Sequence, residues 1–307
     1  MARIAIVTDS TACLPAELAG RYGIHVIPTK VIFGDQVFRD GIDLTPAEFY
    51  QMLEAAETLP TTTQPSVGEF LELYTRLGRE AEAIVSIHIA EPLSGTIDSA
   101  LAAKKEIPDL PIHIIDSRST SMGLGFTTLA AARAAAEGKG LMEVVREAED
   151  LVPRMNVIFV VNTLEYLQKG GRIGGAAALV GSLLKIRPIL HLNDGRVGVL
   201  DRVRTKSKAV RRMLEIMGER VRGNPVHAAV IHANTPDEAE GLREVIASRF
   251  DCVELHTVEL SPVIGTHVGP GTLGLAFYTE REPITVSLLA KSRGIKPQLR
   301  ASQPLPA

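Results

Sequence analysis

The sequence has no tryptophan, and only five tyrosines and eight phenylalanines among 307 residues. So sparse an aromatic set argues against stacking platforms for single-stranded nucleic acid. Positive charge is not in excess either. A formal net charge of −3 offers no general attraction for nucleic acid or anionic membrane. The two cysteines, Cys13 and Cys252, stand alone, outside any CxxC or Cys/His ligand spacing. They read as small packing residues of a reducing compartment, and no metal site is expected. No apolar run reaches membrane-spanning length; the Ala/Leu-rich stretch after Gly174 is cut by Lys185 and Arg187. The opening run Arg3-Ile-Ala-Ile-Val-Thr stops at Asp9, too short for a signal peptide. These absences lead to the expectation of a soluble, cytoplasmic protein without stable membrane insertion.

Several enzyme signatures are missing too. There is no HExxH, no GxxxxGK[ST] for nucleotide phosphates, and no GxSxG nucleophile elbow. Gly269-Pro-Gly271-Thr-Leu-Gly274 matches GxGxxG by letter. It carries an internal proline and has too little chain after it for a dinucleotide-binding unit.

What is present is α/β grammar. Ile4–Thr8, Ala83–Ile89 and Ile112–Ile115 read as strands, with His25–Phe33 extended. Pro15–Tyr22, Ser66–Gly78, Gly95–Lys105 and Ser121–Glu137 read as helices, and Thr45-Pro46-Ala-Glu48 as a helix start. Strands and helices alternating at this spacing predict a parallel sheet covered on both faces. Beyond about Val161 the pattern changes. Asp194-Gly195 between Pro188–Asn193 and Arg196–Arg204 is a strong hairpin signal. Helical Lys206–Arg222, strand Val226–His232, a helix from Pro236 and strand Cys252–Val258 follow. The expected organisation is a two-lobed α/β protein. Residues 1–161 form a parallel-sheet lobe and residues 162–282 a lobe with a mixed or antiparallel sheet, leaving a tail over 283–307.

Three polar segments are candidates for chemistry. One is the hydroxyl cluster Thr61-Thr62-Thr63-Gln64-Pro65-Ser66, read as a loop entering a helix. Another is Leu93-Ser94-Gly95-Thr96, between a strand and a helix. The third puts His267 in a Gly/Pro-rich turn, Gly265-Thr266-His267-Val-Gly269-Pro-Gly271. Hydroxyls and free N–H groups at helix starts beyond strand ends suit an anion, and a histidine can offer a ring N–H. Plain alternatives stand beside each. Thr62, Thr63, Ser66 and Ser94 are equally at home as helix caps, and His267 as a structural histidine. Gln168-Lys169-Gly170-Gly171-Arg172-Ile-Gly174-Gly175 fits a phosphate cradle or the glycine-closed end of a helix. Arg202 and Arg204 with Lys206 and Lys208 read as a solvated face or a dock for an acidic partner.

In order along the chain, Ile6-Val-Thr-Asp9-Ser10-Thr11, Phe38-Arg39-Asp40-Gly41, Thr62-Thr63-Gln64-Pro65-Ser66 and Leu93-Ser94-Gly95-Thr96 are followed by Asp116-Ser117, Ser121-Met-Gly123-Leu-Gly125, Leu167-Gln-Lys-Gly170-Gly171-Arg172-Ile and Gly265-Thr-His267-Val-Gly-Pro-Gly271. Over roughly residues 2–281 this string resembles the DegV family, which includes the fatty-acid-binding subunits of bacterial fatty acid kinase. The resemblance implies a long-chain fatty acid buried between two lobes. Its carboxylate would be held by Thr62, Ser94 and His267, with Thr63, Gly95 and Thr266 beside them in the same motifs. It implies no cofactor and no catalysis by this chain; a separate ATP-dependent kinase subunit would form the acyl phosphate for phospholipid synthesis. Arg172 would then stabilise the transferring phosphate or contact the kinase, and Arg202 would do the latter. Thr63 stands where the family usually has Ser, and Ala90-Glu91 where a hydroxyl pair is common. Two other readings stay open: a lipid-ester hydrolase using Ser94 and His267, and a carrier of another amphipathic carboxylate without a kinase partner. A monomer is expected.

Overall fold

The computed structural model describes residues 3–182 and 186–280. The expected tail, 283–307, lies outside the described residues. In chain order the first part contains β1 (Ile4–Asp9), α1 (Ala16–Arg21), β2 (His25–Ile27), β3 (Lys30–Phe33), β4 (Gln36–Arg39), α2 (Pro46–Ala55) and β5 (Thr61–Thr63). It continues with α3 (Val67–Leu77), β6 (Ala83–His88), α4 (Thr96–Lys105), β7 (Ile112–Asp116), α5 (Met122–Ala136) and α6 (Leu141–Leu151). The second part contains β8 (Asn156–Val160), α7 (Glu165–Lys169), β9 (Arg187–Asn193), β10 (Arg196–Val203), α8 (Lys206–Val221) and β11 (Val226–His232). It closes with α9 (Pro236–Arg249), β12 (Cys252–Glu259), α10 (Pro262–Val268) and β13 (Leu273–Thr279).

The expected parallel sheet is present, in the order β2-β1-β6-β7. Every residue of β6 is buried, as in a strand covered on both faces, and its two polar residues, Ser86 and His88, hydrogen-bond to each other. Pro28 divides the extended run His25–Phe33. Having no N–H to give a ladder, it lets β2 join the parallel sheet and β3 leave it. β3 instead centres a three-stranded antiparallel sheet, β4-β3-β5. Thr61–Thr63 is therefore a strand, not the loop that its polarity suggests. Two capping boxes fix the following helices: Thr45 with Glu48 opens α2, and Ser66 with Glu69 opens α3.

The second sheet is mixed, as expected, in the order β10-β9-β8-β13-β11-β12. Only β11 and β12 pair in parallel. Asp194 and Gly195 both take positive φ, 50° and 75°, the requirement of a tight hairpin turn that matches strand twist. β8 pairs in this sheet although it falls within residues 1–161, so the chain crosses between the sheets ahead of Asn156.

α5 joins the two parts. Its run of Ala and Gly lets it pack closely against β1 and β6 on one side and reach β13 on the other. The main hydrophobic cluster accordingly runs from Ile6 and Val85 through Leu124 and Phe126 to Phe159, Ile231 and Ala276. Smaller clusters lie beneath α8 and α9 and beneath α3 and α4. Among the described residues no helix is long and apolar enough to cross a membrane. No group of three or more His, Cys, Asp or Glu side chains that could hold a metal ion occurs among them either.

Candidate functional site

β5 pairs with β3 so that Thr62 stands opposite Val31. The strand presents Thr62 to α10, where its Oγ1 lies 2.8 Å from His267 Nε2. The two residues are 205 positions apart in sequence. His267 is not in a turn as expected but in the last turn of α10. Pro262 takes the first helical position and Gly269, at φ 73°, stops the helix. The glycines and prolines thus bracket a short helix instead of replacing it.

Burial first, and the charge of Arg172 second, lower the His267 pKa to about 4, so the ring is neutral at pH 7. A neutral imidazole has one donor and one acceptor nitrogen. When the Thr62 hydroxyl donates to Nε2, the Nδ1–H is the remaining donor, and Nδ1 is buried without a partner. Gly170 lies against that nitrogen; a Cβ there would overlap Nδ1. A side chain at 170 would close the approach that glycine leaves open.

The Gly170 segment is the end of α7 rather than a phosphate cradle. Gly171 N–H donates to Gln168 C=O and Arg172 N–H to Leu167 C=O, with Gly171 at φ 71°, the paired bonds of a Schellman ending. This ending folds Arg172 back toward the site. Its Nη1 donates to Gly170 C=O at 2.7 Å and its Nε to Leu93 C=O at 3.1 Å, so one guanidinium ties α7 to the loop that carries Ser94.

Two cavities meet at His267 and Arg172, which line both. The inner one has a cavity volume of ≈ 80 Å³ and draws its wall from both parts of the chain, including Ile89, Leu93, Phe159, Ile231, Leu260 and Ile264. The outer one, with a cavity volume of ≈ 360 Å³, is more polar, with Thr61, Thr62, Lys169, Gly170 and Thr266 in its wall. An apolar chamber entered past polar donors suits a ligand with an apolar body and an anionic head.

The other expected residues are placed less centrally. The Ser94 hydroxyl lies 2.8 Å from Thr96 Oγ1 and makes no hydrogen bond to His267. Ser94 lines neither cavity, although its neighbour Leu93 does. Gly95 opens α4 beside the Gln64 side chain, which brings the Thr62 and Ser94 segments together. Thr63 faces away from Thr62 by strand alternation and reaches only Gln64 C=O, at 3.4 Å. Thr266 lines the outer cavity, but its hydroxyl donates back to Pro262 C=O. Ser66 is a helix cap, as the plainer reading has it. Arg202 is exposed on β10 and lines neither cavity. Sequence reasoning missed Thr120 and Ser121 at the inner wall, where the Thr120 hydroxyl has no hydrogen-bond partner and the Ser121 hydroxyl lies by the Cys13 thiol. Ser121 takes a positive φ of 50°, and nothing in its residue type announces that conformation.

Comparison with known proteins agrees with this architecture. A family model described as "Uncharacterised protein, DegV family" matches residues 3–280. A DegV domain-containing protein of Streptomyces coelicolor is 42% identical over 274 residues, covering 89% of this chain and 97% of that one. A DegV family protein of Thermus thermophilus, described for its fatty acid binding, superposes with a TM-score of 0.86 at 38% identity, covering 91% of this chain and 100% of that one. DegV of Bacillus subtilis, a fatty acid binding protein, gives a TM-score of 0.85 at 36% identity over the same shares.

Proposed function

Since the chain belongs to the DegV family, we propose that it binds a long-chain fatty acid, tail in the inner cavity and carboxylate at His267. The observation that carries this reading is the junction of an apolar chamber and a polar antechamber at one neutral histidine. Each methylene taken from water into the chamber contributes about 0.8 kcal/mol, so the tail supplies most of the affinity. With the Thr62 hydroxyl donating to His267 Nε2, the ring is held so that its Nδ1–H is the donor to the head. Hydroxyl and neutral imidazole donors hold a carboxylate without neutralising it as a buried ion pair would, which leaves an oxygen nucleophilic. Ser94 joins them by rotating from Thr96 toward the head group.

That nucleophilic oxygen gives the protein a carrier's role. It presents the acid to a separate ATP-dependent kinase subunit, which forms the acyl phosphate; Arg172, beside the head, stabilises the incoming phosphoryl group. The absence of a nucleotide-phosphate motif in this sequence supports that division of labour. The Ser94 hydroxyl's bond to Thr96, with Thr62 on His267, speaks against Ser94 and His267 as a hydrolytic nucleophile–base pair, which needs a direct hydrogen bond between them.

Native mass spectrometry of the purified protein, followed by extraction and identification of the ligand, tests the reading. A co-purified fatty acid that is lost from His267→Ala protein is the expected result. An empty protein that takes up no added fatty acid would sink it.

A further inference from the structure

β12 is the last strand of the six-stranded sheet. Among the described residues it pairs with β11 on one side and with no strand on the other. The Leu260 N–H donates to His232 C=O, so by alternation the N–H groups of Leu255, Thr257 and Glu259 point away from β11. No loop backbone among the described residues takes up these outward groups. Soluble proteins shorten, charge or cover such an edge. This one is eight residues long, its Val253 is 51% exposed, and its Glu254 is turned onto Arg133. At its far end Thr257 and Glu259 line a cleft of ≈ 560 Å³ together with Leu14, Val26 and Ile42. Glu259 forms no ion pair among the described residues.

The route of the chain says what can cover this edge. Val226 of β11 pairs with Thr279 of β13 on one side and with Cys252 of β12 on the other. The chain therefore leaves β13 at the end of the sheet where β12 begins. From β13 to a place outside β12 is three strand spacings, about 14 Å. Five residues beyond Glu280 span up to about 17 Å. In the sequence that follows, Ile284-Thr285-Val286-Ser287-Leu288 alternates apolar and hydroxyl side chains, the period of a strand with one face covered. Pro283 stands ahead of it, where an edge strand tolerates proline. Beyond it come Lys291, Arg293, Lys296 and Arg300, with no Asp or Glu from 283 to 307. With Thr285 level with Val253, Lys291 comes level with Glu259.

We propose that the open edge of β12 is the docking surface for residues 284–291 of the same chain, added as a seventh strand parallel to β12, with Lys291 paired to Glu259 at the cleft. Main-chain hydrogen bonds supply the attachment and the charge pair fixes its register. Addition from the same chain also closes the edge to a second copy.

Residue-resolved amide hydrogen exchange on the full chain tests the proposal. The expected result is slow exchange at Leu255, Thr257 and Glu259, sped up about tenfold or more in a Val286→Pro, Ser287→Pro double variant, with the inward Leu260 amide unchanged. One of two adjacent prolines removes a ladder donor in either register, and both lie outside the family match over residues 3–280, so the fold is not threatened. Lys291→Glu should speed exchange at Glu259 about threefold, and adding Glu259→Lys should restore it. Fast exchange of the three outward amides in the unaltered chain overturns the proposal, and so do rates that the proline pair leaves untouched. Protection that grows with protein concentration gives the edge to a second copy and overturns it as well. None of these readouts depends on whether a fatty acid binds.

Discussion

Burial and the Arg172 guanidinium keep His267 neutral at pH 7, so an arriving carboxylate brings the first negative charge to that ring. Its attraction favours the protonated imidazole. The His267 midpoint, about 4 without ligand, is therefore expected to rise on loading, and ring-nitrogen NMR against pH measures it. A midpoint unmoved by ligand would separate the histidine from the head group. Truncating the ring in His267→Ala removes one hydrogen bond to a charged group, worth about 1.5–3 kcal/mol, and should weaken fatty acid binding by about tenfold or more. Asp40 follows the opposite arithmetic for stability. Its folded pKa of about 6 exceeds the ordinary value of 3.8, so the folded state holds the proton more tightly. Stability from this group is present below the ordinary value and is lost as pH rises through about 6. Asp40→Asn should therefore raise stability at pH 7 by roughly 2–3 kcal/mol, read from urea unfolding, while leaving fatty acid binding intact.

At the scale of elements, what a segment's residues announce depends on who supplies its partner. The capping boxes at Thr45 and Ser66 and the Asp194-Gly195 hairpin are local devices, and each stands where its residues indicate. Ser66→Ala should cost about 1 kcal/mol of stability in thermal unfolding and leave ligand affinity unchanged, which separates capping from binding at that hydroxyl. β5 is the contrary case. Three threonines form a strand because β3 pairs with them, and β3 lies some thirty residues away. The helix of His267 was hidden for a related reason, since glycine and proline at both ends look like a turn until Pro262 is seen to start it. α6 escaped notice although Val144, Val145, Ala148 and Leu151 fall on one buried face. The Thr62–His267 contact joins β5 to α10, and residue spacing carries no trace of it. Its supporting glycine can be probed directly: Gly170→Ala keeps a helical φ yet puts a methyl into His267 Nδ1. Fatty acid affinity should fall roughly tenfold, as for loss of one such hydrogen bond, with a lower melting temperature as well, because the same methyl also presses on the Tyr166 carbonyl.

Across the whole molecule, the two parts are held by a shared core and by one concentrated polar contact. Arg133 of α5 donates twice to Glu254 of β12, at 2.9 and 2.7 Å, and His227 and His256 also contact that carboxylate. Burial alone would raise the Glu254 pKa, but these partners outweigh it and hold it well below the usual carboxylate range. A carboxylate depressed in the folded state lends stability above its ordinary pKa, and that stability is lost as pH falls below about 4.5. Glu254→Gln should thus cost about 3 kcal/mol at pH 7 and much less at pH 3, measured by denaturant unfolding at both.

The inner chamber has a consequence for the life of the protein. Phe159, Ile231, Leu260 and Ile264 belong at once to its wall and to the main core, so a bound acyl tail completes the interior as another side chain would. Ligand in hundredfold excess over its Kd would add about 2.7 kcal/mol to folding, a gap that can fix how long each copy survives proteolysis. Unloaded copies would be the first cleared, and the standing amount of this protein would then track the supply of its ligand.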